Sequence, residues 1–513
     1  MDTLGTQLAQ LENTQLIRRL PEEDLAYLFK HALTQEAAYG SLLHRRQREV
    51  HHRVARALEQ LYIENVDDYA ALLAYHYAQA GDDSKIVQYA RMAGDLEYRR
   101  GAYPEARAHY NQALEALARL PDDKGNRRLR VELTVKGASV SFATENPERI
   151  LARLAGAEPI ARELAAGGDS GPQELLLLAR LYSWLGRIHF YRNDRSAALA
   201  YSSRVVPVAQ EAGEQELAAL ASSLMGRIMM FRGDFQKAEE FFGRALGPFE
   251  RANNWTEWIL AMVIGSSATA ARGQYKTALH HAEQGMALAQ EVQYADGLAI
   301  AYNCLALIYL TGNDMERVVE MSRTSLEQSL RFHNLLTVYS ALATLAIAQS
   351  RLGQHEAAKS SLAQARDTEA EFGGRLFIDD WIDAFEAELA LNAGEYETAV
   401  SRAENVVERF VDSLYAPALA HRVWAQALAV LNPLDWDDAA RHFSSSLELF
   451  ESGDARLEAA RTHMAWGKLN QECGDWIAAR EHFERAAAQF EESGLEREFE
   501  LAQQMIHSSA TES

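Results

Sequence analysis

Cysteine and proline are scarce in this chain, and each scarcity excludes a class of protein. The 513 residues include only two cysteines, Cys304 and Cys473, which are far apart and in no metal-like spacing. This excludes a disulfide scaffold and a thiolate zinc site, and it fits a reducing, cytoplasmic environment. Only 10 prolines are present, and alanine is abundant, so the composition favours helix almost throughout.

Long apolar runs are also missing. No run reaches the roughly 18 residues that a membrane-spanning helix needs, and the N-terminus has no signal-peptide core. Hydrophobic residues nevertheless make up 48% of the chain, which is enough to bury a large core. We therefore expect a folded cytoplasmic protein with no membrane partner, and a monomer in isolation.

Basic residues are fewer than acidic residues, and the difference is unevenly distributed along the chain. The formal net charge is −22, and residues 368–513 alone carry 29 acidic and 11 basic side chains, a net of −18. An acidic surface repels phosphate backbones. We therefore expect no nucleic-acid binding by the repeat array.

One pattern recurs along most of the sequence: Gly or Asn, an aromatic residue two positions later, and a small residue three positions after that. It is clearest in GDFQKAEEFFGRAL from Gly233 and GDWIAAREHFERAA from Gly474. The small residue returns at steps of 40 or 41 residues, at Ala198, Ala238, Ala278, Val318, Ala358, Ala399, Ala439 and Ala479. Such spacing predicts an array of similar units, each burying its apolar face against its neighbours.

Each unit is predicted to be a helix hairpin. The Gly or Asn permits the left-handed backbone between the two helices, and the small residue lets the helices approach closely. Phe242 or Phe483 then fills the gap to the next pair, and Gly226 and Gly467 mark the close-contact point of the first helix.

This frame resembles the tetratricopeptide repeat. The usual period is about 34 residues, so a 40-residue step implies longer helices, as in the variant found in the maltose-operon activator of bacteria. HEAT repeats share the length but lack the Gly-x-aromatic turn. The resemblance covers residues 65–505 and implies an all-α fold, a right-handed superhelical solenoid of about ten tetratricopeptide-like hairpins.

Residues 1–62 do not follow the repeat. LIRRL and LAYLFK, separated by PEED, predict two short strands in a wing-like hairpin. The string from His31 to Tyr62 then predicts one long amphipathic helix. We therefore expect a winged-helix remnant with a connecting helix over 1–62, the repeat array over 63–505, and a disordered tail over 506–513.

The string FKHALTQEAAYGSLLHRRQREVHHRVARALE closely resembles a segment of bacterial STAND-type signalling ATPases, in which a nucleotide-binding domain precedes a winged helix and a tetratricopeptide array. Many of those proteins also carry a class III adenylate or guanylate cyclase domain. The resemblance implies a regulatory, ligand-sensing role. However, the chain has no G-x-x-x-x-G-K-[ST] motif, so no ATPase or cyclase residue can be transferred to it.

Other charged clusters favour structural roles. His280 and His281 lack ligand partners at metal-like spacing, and Asp379–Asp380 with Asp435, Asp437 and Asp438 fit helix starts. The basic stretch 44–53 fits either a solvated helix face or a grip for an anion. We therefore expect no catalytic residue, no cofactor and no metal, and so no enzyme.

The first helices of the hairpins are predicted to line a concave groove that binds a peptide, a protein or a small ligand. Projection of these helices places seven side chains on its inner face: Arg180, Ser183, Arg187, Phe190, Arg227, Met230 and Asn303. The three arginines favour an acidic partner; alternatively, they form ion pairs with neighbouring hairpins. Two other functions stay open: a fragment of a nucleotide cyclase or ATPase, and the sensor of a transcription regulator.

Overall fold

The computed structural model describes residues 2–20, 27–168, 171–432 and 436–512, and helices dominate them. The chain divides into two compact units, Met1–Val140 (unit 1) and Ser141–Ser513 (unit 2). None of the helices described is long and apolar enough to cross a membrane.

Unit 1 begins with a strand pair and continues as helices. Its elements are α1 (Asp2–Asn13), β1 (Ile17–Arg19), β2 (Tyr27–Phe29), α2 (Ala32–Gly40), α3 (His44–Leu61), a 3-10 segment (Ile63–Tyr69), α4 (Ala70–Ala80), α5 (Asp83–Arg99) and α6 (Tyr103–Leu117). Helix α7 (Lys124–Ser141) ends at the unit boundary.

The predicted hairpin is present, but the predicted long helix is not continuous. β1 and β2 pair antiparallel with Ile17 opposite Phe29, and the PEED turn lies outside the described residues. The helix is interrupted between α2, which ends at Gly40, and α3, because Leu43 has an extended backbone with a ψ of 143°. The basic stretch 44–53 is also not wholly exposed to solvent, because His51 is buried. Its Nε2 atom is hydrogen-bonded to Tyr39 Oη at 3.0 Å, and its Nδ1 atom is hydrogen-bonded to His76 Nδ1 at 2.9 Å.

Unit 2 consists of consecutive hairpins, each with a first and a second helix. After α8 (Pro147–Ala166) the pairs are α9 (Pro172–Tyr191) with α10 (Arg195–Glu211), α11 (Gln215–Arg232) with α12 (Phe235–Arg251), α13 (Trp255–Ala271) with α14 (Tyr275–Glu291), α15 (Ala295–Thr311) with α16 (Met315–Arg331), α17 (Leu335–Arg351) with α18 (His355–Phe372), α19 (Asp379–Asn392) with α20 (Tyr396–Arg409), α21 (Tyr415–Leu431) with α22 (Trp436–Ser452), and α23 (Arg456–Glu472) with α24 (Trp476–Ser493).

The chain ends in α25 (Glu496–Glu512). The prediction of a disordered tail over 506–513 is therefore wrong for the residues that the structure describes. Ile506 and Met505 pack against the core of the last hairpin, and this apolar contact holds the final helix in place.

The predicted turn chemistry is confirmed between the paired helices. Gly233 and Asn313 adopt positive φ angles of 91° and 59°, as the turn requires. The next residue then caps the second helix: the Asp234 carboxylate accepts a hydrogen bond from the Lys237 backbone N–H at 3.3 Å. These local signals define where each second helix begins.

Close packing inside the hairpins also follows the prediction. A Cβ added at Gly226 would lie 3.0 Å from the Phe242 ring, and one at Gly467 would lie 2.6 Å from Phe483. The repeated small residues, among them Ala238 and Ala479, have no exposed surface. Small side chains are therefore required where the two helices meet.

We expect Ala238→Leu or Ala479→Leu to destabilise unit 2 by about 1–3 kcal/mol, because three extra carbon atoms must enter a filled contact. Urea melts of each variant beside the wild-type protein measure the loss. Unchanged midpoints for both variants would contradict the close-packing interpretation.

Candidate binding interior of unit 2

The first helices of unit 2 pack against one another as well as against their own partners. The burial is strongest in α17, where every residue from Leu336 to Ser350 is buried. A helix that packs only against its hairpin partner leaves one face exposed to water. The interior is therefore filled at this level, and the expected open groove does not extend through it.

The interior is closed by contacts between hairpins that are far apart in sequence. We call this set of contacts the seam; it joins the C-terminal ends of α11 and α13 to α19, α21 and the end of α22. The Leu414 N–H donates to the Arg232 carbonyl at 2.7 Å, and the Phe235 N–H donates to the Gly453 carbonyl at 2.9 Å. Backbone bonds of this kind hold two hairpin ends in a fixed register.

Side chains complete the seam around the carbonyl oxygen of Phe231. The Arg195 Nη2 and Trp381 Nε1 groups donate to it at 3.1 and 3.0 Å. Arg195 also forms a buried ion pair with Asp380 at 2.7 Å, and Ser413 Oγ donates to the second oxygen of that carboxylate at 2.7 Å. The seam is thus both hydrogen-bonded and charge-paired.

The predicted groove residues lie on the inner helices, but they differ in exposure. Arg180 is exposed, and Ser183 and Arg187 are partly buried. The other four are buried, with exposures of 3% or 7%: Phe190, Arg227, Met230 and Asn303. The prediction that these seven side chains line a binding groove stays a prediction. The prediction of an open surface at the four buried positions is wrong, because neighbouring helices cover them.

Two of the predicted arginines meet at one carboxylate that the sequence analysis missed. Arg187 Nη2 lies 3.1 Å from Glu257 Oε1, and Arg227 Nη2 lies 3.1 Å from Glu257 Oε2. Burial opposes both charges, but the mutual attraction outweighs it: the pKa of Arg187 is raised and that of Glu257 is lowered. Arg187 and Glu257 are therefore both charged. We call Arg187, Glu257 and Arg227 the Arg–Glu–Arg cluster.

Several buried polar atoms on the inner helices α11 and α15 have no hydrogen-bond partner. In the described part of the chain, Arg227 Nε, Ser223 Oγ and Asn303 Oδ1 are buried without a hydrogen bond. The amide nitrogen of Asn303 is satisfied, because it donates to Ser340 Oγ at 2.7 Å. An unsatisfied buried polar atom costs about 1–3 kcal/mol, so this region of α11 and α15 carries unused hydrogen-bonding capacity.

A second interior ion network lies nearer the C-terminus and joins three arginines to two glutamates. Arg351 Nε lies 2.7 Å from Glu388 Oε1, and Arg422 Nη2 lies 2.7 Å from Glu458 Oε2. Arg461 adds a second guanidinium to Glu458 at 2.6 Å and also donates to the Thr311 carbonyl at the end of α15. This network therefore joins several hairpins through their first helices.

The remaining charged candidates have structural partners. Asp379 and Asp380 begin α19 as predicted, but their carboxylates also pair with Arg366 at 2.7 Å and with Arg195. Asp437 and Asp438 lie in the first turn of α22, while Asp435 falls outside the described residues. Within the described ranges no three His, Cys, Asp or Glu side chains are placed to hold a metal, and the ring centres of His280 and His281 lie 6.2 Å apart.

Two histidine pairs recur in the last two hairpins. His421 and His442 approach at 2.8 Å between their Nδ1 atoms, and His463 and His482 do the same. Burial, reinforced by the nearby positive or imidazole groups, lowers the pKa of His421, His463 and His482 to about 4. These rings are neutral at pH 7.

Because these folded-state pKa values lie below the unfolded value of about 6.5, protonation favours the unfolded chain. Their contribution to stability is therefore complete above pH 6.5 and is lost as the pH falls towards 4. We expect the melting temperature to fall over this window, with a smaller slope in His463→Gln/His482→Gln. An equal slope in that variant would contradict the assignment.

Comparison with solved structures identifies the fold class. No family model matches the chain, and no curated protein matches it. A Rap protein complexed with Competence and Sporulation Factor is similar, with a TM-score of 0.56, 13% identity, and coverage of 72% of this chain and 99% of that chain. Two other structures are less similar. The Cut9–Hcn1 assembly of APC/C has a TM-score of 0.48 and 12% identity, with coverage of 91% of this chain and 96% of that chain. A STAND protein with a tetratricopeptide repeat sensor from Pyrococcus horikoshii has a TM-score of 0.42 and 13% identity, with coverage of 86% of this chain and 58% of that chain.

The chain is an all-α protein with a tetratricopeptide-type helical-repeat solenoid. The 40-residue repeat, the hairpins of unit 2 and the similarity to the Rap protein agree on this class.

Proposed function

We propose that the chain is a binding scaffold with no catalytic activity, and that unit 2 receives a peptide or protein segment in its interior. The proposal rests on one observation: Arg227, Ser223 and Asn303, on the inner helices, each have a buried polar atom without a hydrogen-bond partner. Native proteins satisfy most buried polar groups, so a ligand that bonds these atoms gains free energy. The Rap protein with the similar fold was solved with a bound factor, which supports the same use here.

The proposed ligand enters beside α9, where the inner face is accessible. Exposure along this helix falls from Arg180, through Ser183 and Arg187, to the buried Phe190. The filled core around α17 and the closed seam oppose passage of a ligand through the whole interior. A short segment therefore fits the proposal better than an extended chain lying along every hairpin.

A displayed library of short random peptides, selected on the immobilised full-length protein, tests the scaffold. We expect a consensus to be enriched and to bind with one-to-one stoichiometry in calorimetry. Asn303→Leu removes the free acceptor at similar volume, so it should weaken binding without unfolding the protein. Gln290→Leu, on an exposed position of α14, is the matched control. Failure to enrich any consensus would overturn the proposal.

We further propose that the scaffold regulates a STAND-type signalling ATPase in the cytoplasm. This step rests on the resemblance of the segment 29–59 to those proteins. The test is whether the purified chain binds a separately produced STAND-type nucleotide-binding domain and changes its rate of ATP hydrolysis. The chain alone should neither bind nor hydrolyse ATP, and an unchanged rate in the mixture would reject the regulatory role.

A further inference from the structure

The Arg–Glu–Arg cluster is not charge-balanced. Arg187 and Arg227 bring two positive charges to the single negative charge of Glu257, and the three side chains are only 14%, 8% and 13% exposed. No second carboxylate is within ion-pair distance of either guanidinium among the described residues. One positive charge is therefore left uncompensated in a largely buried place, which is costly.

The second interior network also has one more arginine than glutamate, but its extra guanidinium has a further acceptor. Arg351 has its own carboxylate in Glu388, and Arg461 has a backbone carbonyl in addition to Glu458. Arg227, in contrast, uses Nη2 on Glu257 and leaves Nε without an acceptor. The comparison indicates that the Arg–Glu–Arg cluster lacks an acceptor for Arg227 Nε. The excess positive charge of the cluster favours a negatively charged acceptor.

We propose that the Arg–Glu–Arg cluster binds one carboxylate of a ligand, with Arg227 Nε donating to it and Ser223 Oγ beside it. A monocarboxylate brings a single negative charge, which neutralises the cluster, whereas a phosphate group brings about 1.5 to 2 negative charges and overcompensates it. A planar carboxylate also matches the fork of a guanidinium. This inference rests on the proposed function, because the carboxylate is the anchoring group of the segment bound in the interior.

Free acetate and butyrate are the probes, because they test the cluster without knowledge of the full ligand. The melting temperature of the whole protein is measured in acetate, butyrate, phosphate and chloride at equal ionic strength. A ligand that binds only the folded state raises the melting temperature as its concentration rises. We expect acetate and butyrate to stabilise the wild-type protein more than chloride does.

We expect two variants of the cluster to change the stabilisation by carboxylate in opposite directions. Arg227→Met leaves Arg187 and Glu257 as a balanced pair, so the protein should stay folded and lose the stabilisation by carboxylate. Glu257→Gln leaves two unpaired guanidinium groups, so the protein should be less stable in chloride and gain more from acetate than the wild type. Arg331→Met, at an exposed arginine of α16, is the matched control and should keep the wild-type response.

A purely structural cluster would give a different result. If acetate raises the melting temperature equally in the wild type, Arg227→Met and Arg331→Met, the effect is a general salt effect and the proposal is overturned. If phosphate alone gives a shift that Arg227→Met removes, the site takes phosphate and the carboxylate assignment is wrong. A carboxylate response without any enriched peptide would reject the scaffold function while keeping the site.

Discussion

Gly453→Ala should destabilise unit 2 by about 2–4 kcal/mol, because a new methyl group cannot fit against the seam. An added Cβ at this position would lie 2.0 Å from the Gly233 carbonyl oxygen. That oxygen belongs to the backbone of a turn, so it cannot rotate away as a side chain can. The substitution must therefore separate the two hairpin ends and weaken the Phe235–Gly453 hydrogen bond.

Urea unfolding and amide hydrogen exchange measure the two parts of this prediction. The unfolding midpoint should fall, and the amides of Phe235 and Leu414, which cross the seam, should exchange faster than amides inside the hairpins. Gly243→Ala is the matched control, because a Cβ there meets nothing within 4 Å and α12 is exposed at this point. It should be neutral or stabilise the protein by about 0.5–1 kcal/mol.

A normal midpoint in Gly453→Ala, with unchanged exchange at both amides, would show that the seam is not formed in solution. The interior would then be open, and the burial of Phe190 and Met230 would lose its explanation. Loss of the seam contacts with retained hairpin stability would instead show that the interior opens without unfolding.

The hairpins could be predicted from sequence because their determinants are local and periodic. Positive-φ positions such as Gly233, capping residues such as Asp234 and close-contact residues such as Ala238 lie within a few positions of each other. Every hairpin needs the same kinds of residue at these positions, so a 40-residue period is visible in the sequence. The break between α2 and α3 was missed because a helical amphipathic pattern continues through Gly40 and Ser41.

The seam could not be predicted in the same way. Its members, such as Arg232 with Leu414 or Arg195 with Asp380, are separated by about four and a half repeat periods and share no motif. Their contact depends on the small rotation between successive hairpins, which accumulates over the array and is not encoded by any single residue. The exposure of the groove residues depends on this closure, and so their burial was missed.

Glu257 did leave a signal in the sequence. The corresponding positions of the other repeats are uncharged up to the penultimate helix pair: Leu177, Leu217, Gly297, Thr337, Ile378 and Ala418. Acidic residues occupy this position at Glu257, at Glu458 and, in the final helix α25, at Glu498. Glu257 and Glu458 are each the centre of an interior arginine cluster. Aligning the repeats by position, rather than by their turn motif alone, would have identified both carboxylates.

Asp380→Asn should cost about 3 kcal/mol or more, because it removes the charge of a buried pair and leaves the other charge in place. Asp380 is fully buried and Arg195 is 9% exposed, so water cannot replace the lost carboxylate. Asparagine keeps the volume and one acceptor oxygen, which confines the change to the charge. The exposed pair Arg331–Glu327 offers the control: Glu327→Gln should cost less than about 0.5 kcal/mol.

The double variant Arg195→Met/Asp380→Leu separates charge from packing at the same place. Removing both charges relieves the desolvation cost of the pair, so stability should return to within about 1 kcal/mol of the wild-type protein. A double-mutant cycle from urea melts of the wild type, the two single variants and the double variant gives the coupling energy. If Asp380→Asn costs no more than Glu327→Gln, water must reach the pair, and the seam around Phe231 cannot be closed as the structure has it.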